Sequence, residues 1–419
     1  QFMKKSFFIT IWLISIIISI IWSYENPEKI ESLKDKFKKN KSPVIENIDS
    51  EKKIYIANSF EVHSKKIIKL EDKTAFIIYP EGEKIFSKEK LKIYTQNGFV
   101  IENFIQTKLS LPKYFTLQRN GGLKTVISVN NNKILLISGK EKKCFFAALV
   151  LSNNNKELLR TKCLPEKAKN NDFNGLGSNN IHLNNFIYFA LGTPEKHVSK
   201  NSSLAQDNNY LFGKILRIKK EDILKKINNE NEILDVEIYS KGHRVPQGLT
   251  RINNSIFNVE HGPKGGDELN LVIKDGNYGW PIASYGTNYL KEDGGDGKSI
   301  SSNHELNDFN EPLLALVPSI GISSLNNCPN ILKKYYKKKC LMALSLYGNN
   351  LRKGHSIIIF LLNDLMTKVD SFEIIKLDNL VLRHFVTNDL NELYEDENGD
   401  IYVSADKKGI YKISFLNFR

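Results

Sequence analysis

Cysteine is scarce in this 419-residue chain: four residues, with neither a CxxC nor an HxxxH spacing beside them. That argues against the common thiolate and imidazole metal sites. No Ser-His-Asp or Cys-His set stands out either, so hydrolysis by an activated nucleophile finds no support. Acidic residues are outnumbered, 47 against 60 Lys and Arg, for a formal charge of +13. Yet the sequence shows no basic face interleaved with aromatics and no nucleic-acid-binding module, and no nucleic-acid partner is expected. The lysines are scattered through turns in twos and threes. The exception is Lys333-Lys334-Tyr335-Tyr336-Lys337-Lys338-Lys339, a run able to touch an anionic surface.

The N-terminus carries an address. Lys4 and Lys5 precede an uninterrupted apolar run over residues 6–22, the layout of an export signal. Residues 19–23 are too bulky for a cleavage site, so residues 1–24 are expected to stay as an inner-membrane anchor, with removal as a signal peptide the alternative. Residues 25–50 read as a polar linker or stalk, with Ile30, Leu33 and Phe37 at helical spacing. Either way the remainder should be exported, to a periplasm. There the four cysteines are expected to pair locally, Cys144 with Cys163 and Cys328 with Cys340, among three possible connectivities.

From residue 51 to residue 419, β signals dominate: short β-branched or aromatic runs punctuated by Asn, Gly and Lys. One element recurs, a polar turn followed by a short apolar strand. It begins at Lys53, Lys133, Phe186, Ser255, Cys340 and Asp400. Six copies of a unit that cannot bury both faces alone predict an all-β, six-bladed β-propeller of four-stranded antiparallel blades. Residues 221–227 are the one helix expected after the linker.

The chain is organised around residues 242–281, where GHRVPQGL, EHGPKGGDELNLV and GNYGWP follow one another. Gly and Pro are too frequent here for a helix and interrupt any long strand. Glycine lets the backbone turn through positive φ or approach a ligand closely. Arg244, Gln247, His261, Lys264, Asp267 and Glu268 crowd these turns, which reads as a site held on a β scaffold.

These three stretches closely resemble the glucose/sorbosone dehydrogenase family. AQD at residues 205–207, GKILRI at residues 213–218 and the strand pair of residues 397–414 resemble it too, so the likeness is clearest over residues 172–419. The resemblance implies oxidation of an aldose at its C1 hydroxyl, using pyrroloquinoline quinone (PQQ) and calcium, with a sugar or other small polar substrate. It implies calcium on the backbone carbonyls of Gly262 and Pro263; Asp267 and Glu268 are read as supporting that metal site through water or as building the loop. Hard oxygen ligands of this kind suit that ion. It places Arg244, Gln247, Arg383 and Ser319 around the cofactor. Nothing in the sequence identifies the electron acceptor.

The departures fall on the chemistry. Asn174 stands where the family's base is a histidine, and a neutral amide cannot accept a proton at pH 7. His182, eight residues on, is the alternative base. Val245 replaces an asparagine, Tyr347 a lysine and Val381 a second arginine. Two cations facing a tricarboxylate are thus absent, which opens a second reading: a propeller of the same family that has lost PQQ and binds a carbohydrate or a protein partner.

Overall fold

The computed structural model describes residues 43–164, 173–177, 179–194, 202–229, 231–290, 297–347 and 354–419, and of Asn174 only the backbone. The expected anchor and most of the linker lie outside these residues. Among the described residues no helix is long and apolar enough to cross a membrane.

Strands β1 (Ile45–Asn47), β2 (Lys53–Ile56) and β3 (Glu61–Leu70) open the chain. Blade one follows as β4–β7 (Thr74–Ile78, Lys92–Thr95, Phe99–Glu102, Ile105–Lys108) and blade two as β8–β11 (Leu123–Val129, Asn132–Glu141, Cys144–Leu151, Glu157–Arg160). Blade three is β12–β15 (Ile181–Leu183, Phe186–Leu191, Lys214–Lys219, Glu237–Lys241), with helix α1 (Lys220–Asn228) between its last two strands. Blade four is β16–β19 (Val245–Ile252, Ser255–His261, Asp267–Val272, Leu314–Leu316). Blade five is β20–β23 (Ile322–Asn327, Lys339–Ser345, Ser356–Leu362, Val369–Lys376), and helix α2 (Asn330–Tyr336) joins its first two strands. The last sheet takes β24–β26 (Leu382–Phe385, Ile401–Ala405, Gly409–Leu416) and completes itself with β3 from the other end of the chain. All these ladders are antiparallel, so six four-stranded blades are present as expected.

The ring is closed by packing. First strands lie against one another, β12 on β16, β16 on β20, β20 on β24, β24 on β4 and β4 on β8. A parallel bridge between Ile78 and Thr387 joins the last blade to the first. Each of the six blade interfaces holds one apolar cluster, such as Phe257, Val259, Leu325 and Phe360 between blades four and five. A blade therefore buries its faces only against its neighbours, which is why the fold needs the whole ring.

Five of the six recurring strands are the second strand of their blade: those at Lys133, Phe186, Ser255, Cys340 and Asp400. The sixth is different. Lys53–Ile56 forms β2, which pairs only with β3 and leaves Ile54 and Ile56 56% and 74% exposed. The equivalent strand of blade one is β5, where Ile93 and Tyr94 are buried. Both runs read Lys-Ile-Tyr, so composition alone did not separate an accessory edge strand from a core one. Both cysteine pairs are local disulfides, Cys144–Cys163 in blade two and Cys328–Cys340 in blade five.

Candidate functional site at the ring mouth

First strands in a propeller run the same way, so their N-terminal ends share one mouth. Arg244 stands one residue before β16, Ser319 three before β20 and Arg383 on the second residue of β24. The turn Phe173–Gly175 joins them. A methyl group on Gly175 would lie 2.6 Å from Cγ1 of Val245, so the backbone of Asn174 abuts the Arg244 loop. Loops far apart in sequence do meet over the hub.

Arg244 is buried. Its guanidinium donates to the carbonyls of His261 (3.1 Å) and Gly262 (2.6 Å) and lies 5.1 Å from the Trp280 ring. Burial lowers its pKa, with Tyr289 and Asp267 pulling the other way. The Tyr289 hydroxyl donates to the Pro263 carbonyl at 3.3 Å. Gly262 is required by sterics: a side chain there would overlap the carbonyl oxygens of Gly265 and Gly266.

Asp267 is the pin of the site. One carboxylate oxygen accepts the backbone N–H groups of Ile320 (3.0 Å), Gly321 (2.7 Å) and Ile322 (3.0 Å), and the other accepts that of Gly262 (3.3 Å). It thereby ties the Gly262–Pro263 loop of blade four to the segment of blade five that carries Ser319. The Ser319 hydroxyl is buried with no protein partner. Gln247 is buried on β16, its amide donating weakly to its neighbour's carbonyl at 3.4 Å.

Arg383 forms a bidentate pair with Asp406, at 2.6 and 2.5 Å. Burial lowers the guanidinium's pKa, but Asp406 more than reverses that, so the net direction is up. Tyr347 stands half exposed in this mouth, its ring 6.4 Å from that of His261 and packed against Gly321. The His261 imidazole is buried, and burial is the first cause of its lowered pKa.

His182 is not at this mouth. It lies on β12, in the electrostatic field of Asp389, Arg251 and Lys133, groups that line cavities at the opposite ends of the first strands. Burial lowers its pKa to about 4. The alternative base is therefore on the wrong side of the ring.

Beneath the mouth lies a cluster of which sequence reasoning singled out only Glu268. Glu260 and Glu268 face each other across β17 and β18, both buried. Burial raises Glu260 to about 8 and Glu268 well above its ordinary value, with mutual repulsion adding to the second. His243 meets Glu260 at 3.2 Å and Ser240 at 2.8 Å and stacks on Tyr278 at 4.5 Å. Burial depresses its pKa to about 3, so the contact is a neutral hydrogen bond, not an ion pair. The hint was the spacing of Glu260 and Glu268 about a hairpin, whose register only the fold reveals. Nearby, Gln206 and Asn277 exchange amide hydrogen bonds at 2.8 and 3.0 Å, joining the AQD and NYGWP stretches.

These residues do not fit PQQ and calcium as they stand. The Gly262 carbonyl already accepts from a guanidinium, which sets positive charge where a cation would coordinate. Asp406 neutralises Arg383, the other cation available to a tricarboxylate. Asn174 supplies no base.

A family model for glucose/sorbosone dehydrogenase matches residues 94–355, reaching into residues 94–171, where the sequence showed no placeable motif. The aldose sugar dehydrogenase YliI of Escherichia coli (strain K12) is 36% identical over 111 residues, 25% of this chain and 28% of that protein. Quinoprotein glucose dehydrogenase B of Acinetobacter calcoaceticus is 36% identical over 105 residues, 24% of this chain and 22% of that one. The alignments thus span less than a third of either relative. Among solved structures, the apo form of a soluble aldose sugar dehydrogenase from Escherichia coli aligns with a TM-score of 0.56 at 19% identity, covering 89% of this chain and 98% of that one. The PQQ-bound aldose sugar dehydrogenase of Streptomyces coelicolor aligns at 0.53 and 14%, covering 89% and 98%. At such identities the structural likeness speaks for the fold alone.

Proposed function

The chain belongs to the glucose/sorbosone dehydrogenase family, and we propose that its hub binds a sugar without oxidising it. One observation carries this: both remaining guanidiniums are already engaged, Arg244 by the carbonyls of the central loop and Arg383 by Asp406. A tricarboxylate cofactor would have to break those contacts, each worth roughly 1.5–3 kcal/mol when charge-assisted. What the mouth does offer suits a neutral polyol: the unpartnered Ser319 hydroxyl, the Gln247 amide and the half-exposed ring of Tyr347. Hydroxyls and amides recognise sugar hydroxyls, and an aromatic face covers the apolar side of a pyranose.

The retained Arg244, Gln247 and Gly262–Pro263 loop favours a second reading, PQQ- and calcium-dependent oxidation of an aldose at C1. One experiment separates the two. The purified chain is titrated with aldoses by calorimetry without cofactor, then incubated with calcium and PQQ and passed through gel filtration. The expected outcome is heat from an aldose, no quinone absorbance retained, and no dye reduction. Retained quinone with turnover overturns the proposal, and so does activity restored by Asn174→His alone, because it would show that the engaged guanidiniums still admit the cofactor.

The two disulfides, together with Lys4, Lys5 and the apolar run of residues 6–22, support export to the periplasm, either anchored or released after cleavage. Protease accessibility in spheroplasts tests this: protection of the chain would refute it.

A further inference from the structure

The opposite mouth of the ring holds a cavity of about 670 Å³, within the range of small-ligand sites. Its walls come from the far ends of first strands in blades four, five and six. Thr250, Arg251, Asn326, Asn327 and Asn391 line it, and α2 with the basic run after it contributes Lys333 and Lys337.

Part of this wall is structural. Asn326 donates to the Asn391 carbonyl at 3.0 Å and accepts from the Leu393 N–H at 3.2 Å, while Asn327 donates to the Arg251 carbonyl at 3.0 Å. These bonds staple the blades together. Asn391 is otherwise. Its side chain is 98% buried, its Nδ2 reaches the Leu249 carbonyl only at 3.4 Å, and its Oδ1 has no protein partner. A buried amide oxygen left unmatched is a strong acceptor waiting for a donor.

The charges divide in the same way. Arg251 is paired with Glu392 at 3.2 Å, and Lys338 with Asp370 at 2.7 Å. Lys339 donates to the Asp364 carbonyl at 2.8 Å. Glu395 is engaged by the Asn330 N–H, at 2.9 and 3.1 Å. Among the described residues Lys333 and Lys337 make no ion pair, and both line the cavity.

We propose that this mouth is a second binding site, for an anionic saccharide whose hydroxyls meet Asn391 and whose acidic group meets Lys333 and Lys337. The amide reads hydroxyls, which donate and accept. The ammonium groups supply point charges for a carboxylate or phosphate at the cavity edge. The inference stands apart from the reading of the hub, because it uses no residue of that mouth.

Trigalacturonate serves as the probe, with its methyl ester and inorganic phosphate as controls, on the full chain. Calorimetry should show trigalacturonate binding that weakens at least tenfold for each charge reversed in Lys333→Glu and Lys337→Glu, both exposed positions. Hydrogen exchange should show protection over residues 326–339 and 390–395. No binding of trigalacturonate, equal binding of the methyl ester, phosphate alone binding as tightly, or protection confined to residues 244–263 would each overturn the proposal. So would wild-type affinity in the doubly substituted chain.

Discussion

Asp267 shows how much one side chain can organise. Its carboxylate replaces water for four backbone N–H groups from two blades. Asp267→Ala should destabilise the chain by about 3–5 kcal/mol, as removing one side of a buried charged contact does. Urea midpoints check it, and a change below about 1 kcal/mol would show that the loops hold themselves. The Glu260–Glu268 pair gives a pH signature. With Glu260 raised to about 8 from an ordinary 4.5, the folded chain holds more protons than the unfolded between those values. Its contribution is complete below about pH 4.5 and is lost as pH rises through 8. Glu260→Gln removes that titration, so the variant should gain stability relative to wild type from pH 5 to 8, by at most roughly 1.4 kcal/mol per pH unit. His243, depressed to about 3, works oppositely: its contribution is present above 6.5 and is lost as pH falls toward 3. The Gly-Pro turns of the hub were legible in the sequence because sterics tie those residue types to particular backbone shapes. The Arg383–Asp406 pair was not, because its partners sit 23 residues apart, one on β24 and the other just past β25, and the register of those strands is a property of the fold.

At the scale of elements, β2 and β5 are near-identical words with different meanings. Ile93 is 1% exposed, whereas Ile54 and Ile56 are more than half exposed. Ile93→Ala should cost about 2–5 kcal/mol and Ile54→Ala less than about 0.5. Thermal or urea unfolding distinguishes them, and equal effects would mean that β2 is a working part of the core. The sequence reads strand existence well, since alternation is local. It reads strand role poorly, since burial comes from neighbours in other blades. Helix α2 was missed because its lysines drew it into the basic run, although Ile331, Leu332, Tyr335 and Tyr336 recur at helical spacing and pack on one apolar cluster. Helix α1, two residues longer and facing the core with Ile223, was expected at residues 221–227 and lies there. Each disulfide closes a short loop within a blade. Replacing Cys144 and Cys163 by Ser should lower stability by about 2–4 kcal/mol, read from unfolding midpoints without reductant.

The whole molecule has two mouths, and they differ in kind. One gathers Arg244, the Gly262–Pro263 loop, Ser319 and Tyr347; the other gathers asparagines and lysines. The number of blades was legible from the recurring apolar strand, although one of its six copies is the accessory β2 and the β5 of blade one went unmarked. The division of labour between mouths was not, for it depends on which end of each first strand a residue occupies. His182 illustrates the point, near Asn174 in sequence and on the far side in space. The seam of the ring has its own consequence. Strand β3 is made before any of the first five blades, yet its partner β26 follows all of them. The circle cannot close until β26 has been made, so the blades between the two strands wait, incompletely assembled, for that partner to arrive.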